Sequence, residues 1–300
     1  IAAKKKEMEQ RNKYYVQVDS FRMVQEKVFY ELIGMTKEYI KTNDSAKSRS
    51  IKNLYESMLH LDNKEAEDQV KYTTEKIDNA IATDNLYWLL AQINQNETIS
   101  WGCPISWSVS KDSKHSAVYK SNISPPQLTV YDYMIYIEDD RDDAPTKQNK
   151  RLYKSKYLEF VRNLFDACLG KGHGMKAIDV WNVECDLLTT MGCDSVKNES
   201  EEYYNVVTKE DALKKYGFDW EKLAKEIGYK QVPSTFICSN LSYLKCIMET
   251  MTKDGTWKTP KWRAYFLYII FRQIARFHKQ WRIIYWEFHG KFINGQMVIW

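Results

Sequence analysis

Apolar residues recur at Phe21, Val24, Val28, Leu32 and Met35, a spacing that predicts an amphipathic helix over Val18 to Lys41. The polar run TNDSAKSRS follows and is rich in residues that cap helices. Ile51, Leu54, Tyr55, Met58, Leu59 and Leu61 begin a second helix. Asn63 to Ala66 restarts helix toward Ile77, and Thr83-Asp84-Asn85 reads as an N-cap before LYWLLAQI. Such short connections are those of helix bundles.

The period changes once. In WSVSKDSKHSAVYKSN, Trp107 to Asn122, two alternating runs flank a polar KDSKH, which predicts a β-hairpin. SPPQLTV, Ser124 to Val130, is then extended, because two prolines exclude a helix interior. Glu138 to Lys150 reads as a charged, solvated loop. Helical periodicity returns over Leu152 to Leu169, Met175 to Thr190, Leu241 to Met251 and Trp262 to Phe288, and SVKNESEE reads as a loop. TKEDALKKYG is a capped helix, with Thr208 at its N-cap, Asp211 three residues on and Gly217 ending it, and Phe218-Asp219-Trp220 starts the next.

The expected fold class is mostly α: a multi-helix lobe, 1–300 as a single domain, with one isolated β-hairpin at about 104–122. The expected core contains Phe21, Val28, Leu54, Leu89, Leu90, Leu164, Trp181, Trp220, Leu244, Phe266 and Ile270.

Composition narrows the function classes. The chain has 300 residues, a net charge of +4 and 14% aromatic residues. So small a charge gives no case for nucleic acid as a partner. The longest apolar run, Tyr265 to Phe271, is bracketed by Arg263 and Arg272 and is too short to span a membrane. Cys103, Cys168, Cys185, Cys193, Cys238 and Cys246 form no CxxC pair, which argues against a thiolate zinc site and leaves disulfides open. Candidate glycosylation sequons stand at Asn43, Asn96, Asn122, Asn198 and Asn240.

Legible catalytic chemistry is sparse. The histidines, His60, His115, His173, His278 and His289, include no His-Glu-x-x-His pair. His278 and His289 are expected to be structural or surface groups. GKGHG lacks phosphate-loop spacing, and no nucleophile elbow or dinucleotide-binding glycine loop occurs. Glu184, within WNVECDLL, reads as an N-terminal or interhelical hydrogen-bonding group, because a general base needs a visible partner. No catalytic residue and no metal ligand is assigned.

The order of the segments carries more than any one of them. VDSFRMVQEK resembles the first long helix of the neprilysin and endothelin-converting family of zinc metallopeptidases. Asn53-Leu54-Tyr55-Glu56-Ser57 is similar to that family's Tyr-x-Ser segment, and LYWLLAQIN to the Leu-Leu-Ala helix that leads into its hairpin. PPQL, Trp181 to Leu188, Tyr204-Asn205, Phe218-Asp219-Trp220, Tyr243-Leu244 and the stretch Phe288 to Gly295 follow in the family's order. The likeness runs from about Asp19 to Gln296 and concerns the family's N-terminal, non-catalytic lobe.

That resemblance implies a lobe that caps a peptide-sized chamber and limits substrate size. It implies a C-terminal catalytic lobe as partner, a peptide substrate if the protein is active, and zinc only in that other lobe. The family's zinc helix, third ligand and Asn-Ala-aromatic strand have no counterpart up to Trp300. The family's carboxylate-gripping Arg, just before the first helix, corresponds here to Lys13 or Tyr14, with Asp19 and Arg22 matching nearby positions. Lys offers a point charge and Tyr one hydroxyl where Arg offers a bidentate fork. The other expectation is a non-catalytic structural or interaction module in a large assembly such as a virion. The resemblance and the sequons suggest an extracellular or secretory location.

Overall fold

The computed structural model describes residues 20–60, 62–96, 100–192 and 203–296, and it falls into two compact units. The first combines residues up to Asp68 with those from Ile274 onward. Its helices α1 (Ser20–Thr42) and α2 (Ala46–Leu59) are joined by a tight turn in which the Ser45 side chain accepts from the Ser48 amide at 3.1 Å. That is an N-cap bond, and it starts α2 five residues before its apolar pattern does. The helix α3 (Asn63–Ala82) begins in this unit.

Val28 is 45% exposed and Leu54 is 63% exposed, so neither belongs to the core. Val24, Leu32, Met35, Ile51 and Met58 are exposed with them. Periodicity establishes that a helix has an apolar face, not that the same stretch of chain covers it. Phe21 lies in α1, and its side chain is outside the described set.

The helix expected over Trp262 to Phe288 is broken. The helix α10 (Pro260–Ile274) gives way to a 3-10 turn, Ala275–Phe277, and the helix α11 (Trp281–Tyr285) then runs into a π-helical stretch, Trp286–Ile293. His278 is the cause. Its backbone is extended, and its Nδ1 accepts from the amides of Gln280 and Trp281, both at 3.2 Å. Its buried ring stacks on Trp281 at 4.0 Å, with Nε2 3.6 Å from Glu67. An imidazole capping the following helix reads in sequence as one more residue of a continuous helix.

The second unit, Gln69–Gln273, holds the helices α4 (Leu86–Asn94), α5 (Ala144–Leu169), α6 (Ala177–Met191), α7 (Lys209–Tyr216), α8 (Trp220–Ile227) and α9 (Leu241–Thr252). Leu89, Leu90, Leu164, Trp181, Trp220, Leu244, Phe266 and Ile270 are all buried in it, as expected. The segment Tyr265 to Phe271 is wholly buried within α10. Among the described residues no helix is long and apolar enough to cross a membrane. Asp143 accepts from the Thr146 amide at 2.8 Å and starts α5 at Ala144, so 144–150 is helix and not the expected loop. A proline in the first turn, here Pro145, is compatible with that start because no hydrogen bond is lost there. Gly217 and Gly228 end α7 and α8 in left-handed conformations.

The hairpin forms from strands β1 (Ser106–Lys111) and β2 (Tyr119–Ser124), but it is not isolated. Two further strands, β3 (Asn205–Thr208) and β4 (Thr235–Cys238), extend it into a sheet of order β1-β2-β4-β3. β2 and β4 pair in parallel, Asn122 opposite Ile237, and β4 and β3 pair antiparallel. Strands of four residues are too short for alternation to betray them. The protein remains mostly α.

Candidate functional site

Two polar constructions dominate the second unit. The first holds the hairpin. At its base, the buried Asn94 at the end of α4 donates to Leu90 O at 2.9 Å and Ile105 O at 2.8 Å, while its Oδ1 accepts from the Trp107 amide at 2.8 Å. Trp107 Nε1 donates to Ser121 Oγ at 3.3 Å, and Ser121 Oγ lies 2.8 Å from Tyr229 OH.

At its tip, Asp112 closes the turn. Its amide donates to Val118 O at 2.8 Å, and its Oδ1 accepts from the Lys114 amide and from Tyr204 OH, both at 2.9 Å. Lys120 Nζ lies 3.3 Å from Oδ2, and Lys114 Nζ sits 4.4 Å from the centre of the Tyr204 ring. The Lys114 amide, with help from Tyr204 and Lys120 and against the cost of burial, lowers the Asp112 pKa to about 2 from its ordinary 3.8. The folded state thus binds fewer protons than the unfolded state between those values, so the stability gained above pH 4 is lost as pH falls toward 2. Asp112→Asn is expected to flatten the dependence of the thermal midpoint on pH across that window, measured against the unaltered protein by calorimetry.

The second construction is the buried centre around Glu184. This carboxylate on α6 accepts from the Thr129 amide at 3.1 Å, from Thr129 Oγ1 at 2.6 Å and from Tyr136 OH at 2.6 Å. Thr129 has one hydroxyl proton and gives it to Glu184, so Tyr268 OH, 2.8 Å away, donates to Thr129. Arg272 Nη1 donates to the same oxygen at 2.8 Å, and Nη2 donates to Trp101 O. The guanidinium also lies over the Trp101 and Tyr268 rings, at 5.1 and 5.2 Å. Burial raises the Glu184 pKa, opposed by Thr129, Tyr136 and Arg272. Burial and the Glu184 charge likewise push Tyr136 well above 10.0. Gly102 lets the loop approach: its φ is +94°, and a Cβ there would stand 2.8 Å from Arg272 Nη2. With Glu184 fully enclosed, this centre fastens the fold and offers no carboxylate to a substrate.

A cleft of about 440 Å³ opens between the turn after Tyr136 and α5, over Trp181. Its charges answer one another: Lys150 pairs with Asp142, Lys154 lies 3.5 Å from Glu138, and Lys147 donates to Asp140 O at 2.8 Å.

Of the residues assigned to substrate, Lys13, Tyr14 and Asp19 lie outside the described residues, and Arg22 lies in α1 with its side chain outside the described set. Asn43 and Asn96 are exposed; Asn198 lies outside the described residues. Asn122 donates to Ser110 Oγ and Lys120 O, both at 2.9 Å, and Asn240 caps α9 through the Tyr243 amide. Cys246 is disulfide-bonded, and Cys103, Cys168, Cys185 and Cys238 stand outside any disulfide. Burial raises the Cys103 pKa to about 12 and that of Cys185 to about 11, so neither is a ready nucleophile. Among the described residues no three His, Cys, Asp or Glu side chains are placed to hold a metal ion, so a zinc centre does not fit them. Sequence reasoning missed Asn94, Asp112, Thr129 and Arg272; Thr129 and Arg272 act through partners distant in the chain, Asp112 joins its own turn to the distant Tyr204, and Asn94 bonds groups no more than 13 residues away.

A sequence profile for the N-terminal part of peptidase family M13 matches residues 4–298. The fold is similar to that of the zinc metalloprotease Zmp1 of Mycobacterium tuberculosis in complex with an inhibitor, with a TM-score of 0.68 and 18% identity. That alignment covers 94% of this chain and 42% of the other. Zmp1 in an open state aligns with a TM-score of 0.64 and 16% identity, over 97% of this chain and 46% of that one. PepO from Lactobacillus rhamnosis HN001 aligns with a TM-score of 0.56 and 15% identity, over 95% of this chain and 44% of that one. No curated protein matches the chain. The chain thus spans less than half the length of these solved structures.

Proposed function

The chain belongs to peptidase family M13, as the match to its N-terminal part shows, and we propose that it works as the chamber lobe of a zinc endopeptidase. In this reading a C-terminal catalytic lobe of the same protein supplies zinc and the reacting groups. This lobe closes over a peptide chain and restricts what enters. The observation that carries the reading is coverage: nearly all of this chain aligns with under half of the zinc metalloprotease Zmp1. The exposed apolar faces of α1 and α2 support it, since patches of this kind ordinarily meet another surface. A secretory or extracellular location is part of the proposal, supported by the disulfide at Cys246, a bond that persists in oxidising compartments.

The test uses the intact source protein. Peptide mapping past Trp300 is expected to find His-Glu-x-x-His, and cleavage of a reporter peptide is expected to stop on chelation and return with zinc. Cleavage indifferent to chelator, or a continuation without that motif, would overturn the reading. Leu54→Asp together with Val28→Asp is expected to leave the lobe's own unfolding within about 0.5 kcal/mol of the original, as exposed positions do. The same pair is expected to abolish chelator-sensitive cleavage; undiminished cleavage would show that this face meets nothing needed for activity.

A further inference from the structure

The candidate sequons differ in what the fold leaves of the side-chain nitrogen, the atom to which an N-linked sugar attaches. Asn43 stands in the turn between α1 and α2 and is exposed together with Asp44 and Ser45. Every bond that holds this turn avoids Asn43 Nδ2. The Asn43 amide donates to Tyr39 O at 3.1 Å, its carbonyl accepts from Ser48 Oγ at 2.6 Å, and its Oδ1 accepts from the Ser45 amide at 3.3 Å. Asp44 pairs with Arg49 at 2.7 Å, and Ser45 caps α2. Nδ2 itself has no partner among the described residues. A sugar there displaces one hydrogen of an exposed amide and keeps Oδ1 as an acceptor.

Asn122 is the opposite case. It lies in β2, an inner strand between β1 and β4, and its Nδ2 donates to both Ser110 Oγ and Lys120 O at 2.9 Å. A sugar removes one of those bonds and needs room inside the sheet. Asn240 is half-buried where β4 passes into α9, with its Oδ1 on the Tyr243 amide and its carbonyl taken by the Leu244 amide. The sequons of Asn96 and Asn198 lie wholly or partly outside the described residues.

We propose that Asn43 carries an N-linked oligosaccharide and that Asn122 and Asn240 stay bare in the folded protein. The inference rests on the secretory location proposed above, because the sugar donor is a lipid-diphosphate-linked oligosaccharide of the secretory membrane. Transfer forms a bond from Asn43 Nδ2 to the anomeric carbon and breaks that carbon's bond to the diphosphate. The lipid diphosphate leaves, and Nδ2 gives up one proton. The attached sugar is bulky and hydrophilic and holds the end of the helix pair in water. The exposed apolar positions begin about two helical turns away, at Met35 and Ile51, and remain open to another surface.

The test takes the intact protein from its source. A glycosidase that cuts the sugar–Asn bond in water labelled with heavy oxygen turns a sugar-bearing Asn into labelled Asp, and the same peptide map reports whether Cys246 is oxidised. Label is expected at Asn43, none at Asn122 or Asn240, and none anywhere when the glycosidase is left out. Unlabelled Asn43 with Cys246 oxidised would overturn the site and leave the secretory reading standing. Unlabelled Asn43 with Cys246 reduced would overturn both. Label at Asn122 in protein that still unfolds cooperatively would overturn the argument from Nδ2. In the full chain secreted from cultured eukaryotic cells, Asn43→Gln is expected to lose one glycosidase-sensitive mass increment and Asn122→Gln to lose none; the reverse would assign the sugar to the wrong turn.

Discussion

Arg272→Ala is expected to destabilise the second unit by about 3–5 kcal/mol, the range for breaking one side of a buried charge pair. The guanidinium is almost wholly enclosed, and four contacts depend on it: Thr129 Oγ1, Trp101 O and the faces of two aromatic rings. Its loss leaves the Glu184 carboxylate without a counter-charge, already raised in pKa by burial. The variant is then expected to hold Glu184 protonated when folded. A carboxyl with a raised folded pKa contributes stability that is present below its unfolded value and is lost as pH rises through the folded one. Chemical denaturation of the variant should therefore show its deficit growing from about pH 4.5 toward neutrality. The double change Glu184→Gln with Arg272→Met should be milder than the sum of the two single changes, since it removes both charges together. A deficit under about 1 kcal/mol for Arg272→Ala, below the usual cost of an unsatisfied buried charge, would show that the pair is dispensable.

Trp220→Ala is expected to cost about 3–5 kcal/mol, as large buried aromatics do when truncated. The side chain is fully buried at the first position of α8. Its ring lies 5.1 Å from Phe236 on β4 and 6.2 Å from Tyr229, and its Nε1 donates to Pro233 O at 2.8 Å. It therefore joins helix to sheet, and its removal should loosen β4 and, through the parallel pairing of β4 with β2, the hairpin. Equilibrium unfolding gives the total. Faster hydrogen exchange at β2 and β4 amides would locate the loss, whereas unchanged exchange there would show that the helix and the sheet are separately supported.

Much of this architecture is legible in the sequence. Thr208, Asp219 and Asn85 announced three helix starts, because capping is a contact between residues three apart. The hairpin was legible for the same reason: Lys111 and Tyr119 face one another across a short turn. The cap at Asp143 was hidden because Pro145 and the dense charge of the segment read as loop. The break at His278 was hidden because its neighbours carry a helical pattern on both sides.

The sequence by itself determined a mostly helical lobe, its principal core residues, and its place in a peptidase family, since period, caps and the order of segments are carried within short stretches of chain. Only the tertiary structure decided that the stripe of α1 stays exposed, that the hairpin gains two strands, and that Glu184 is locked to Thr129 and Arg272. The physical reason is distance along the chain. Glu184 meets a group 55 residues away, and Arg272 meets the same residue across 143 positions. Pairings of that kind depend on which surfaces the folded chain brings together, and no local period encodes them.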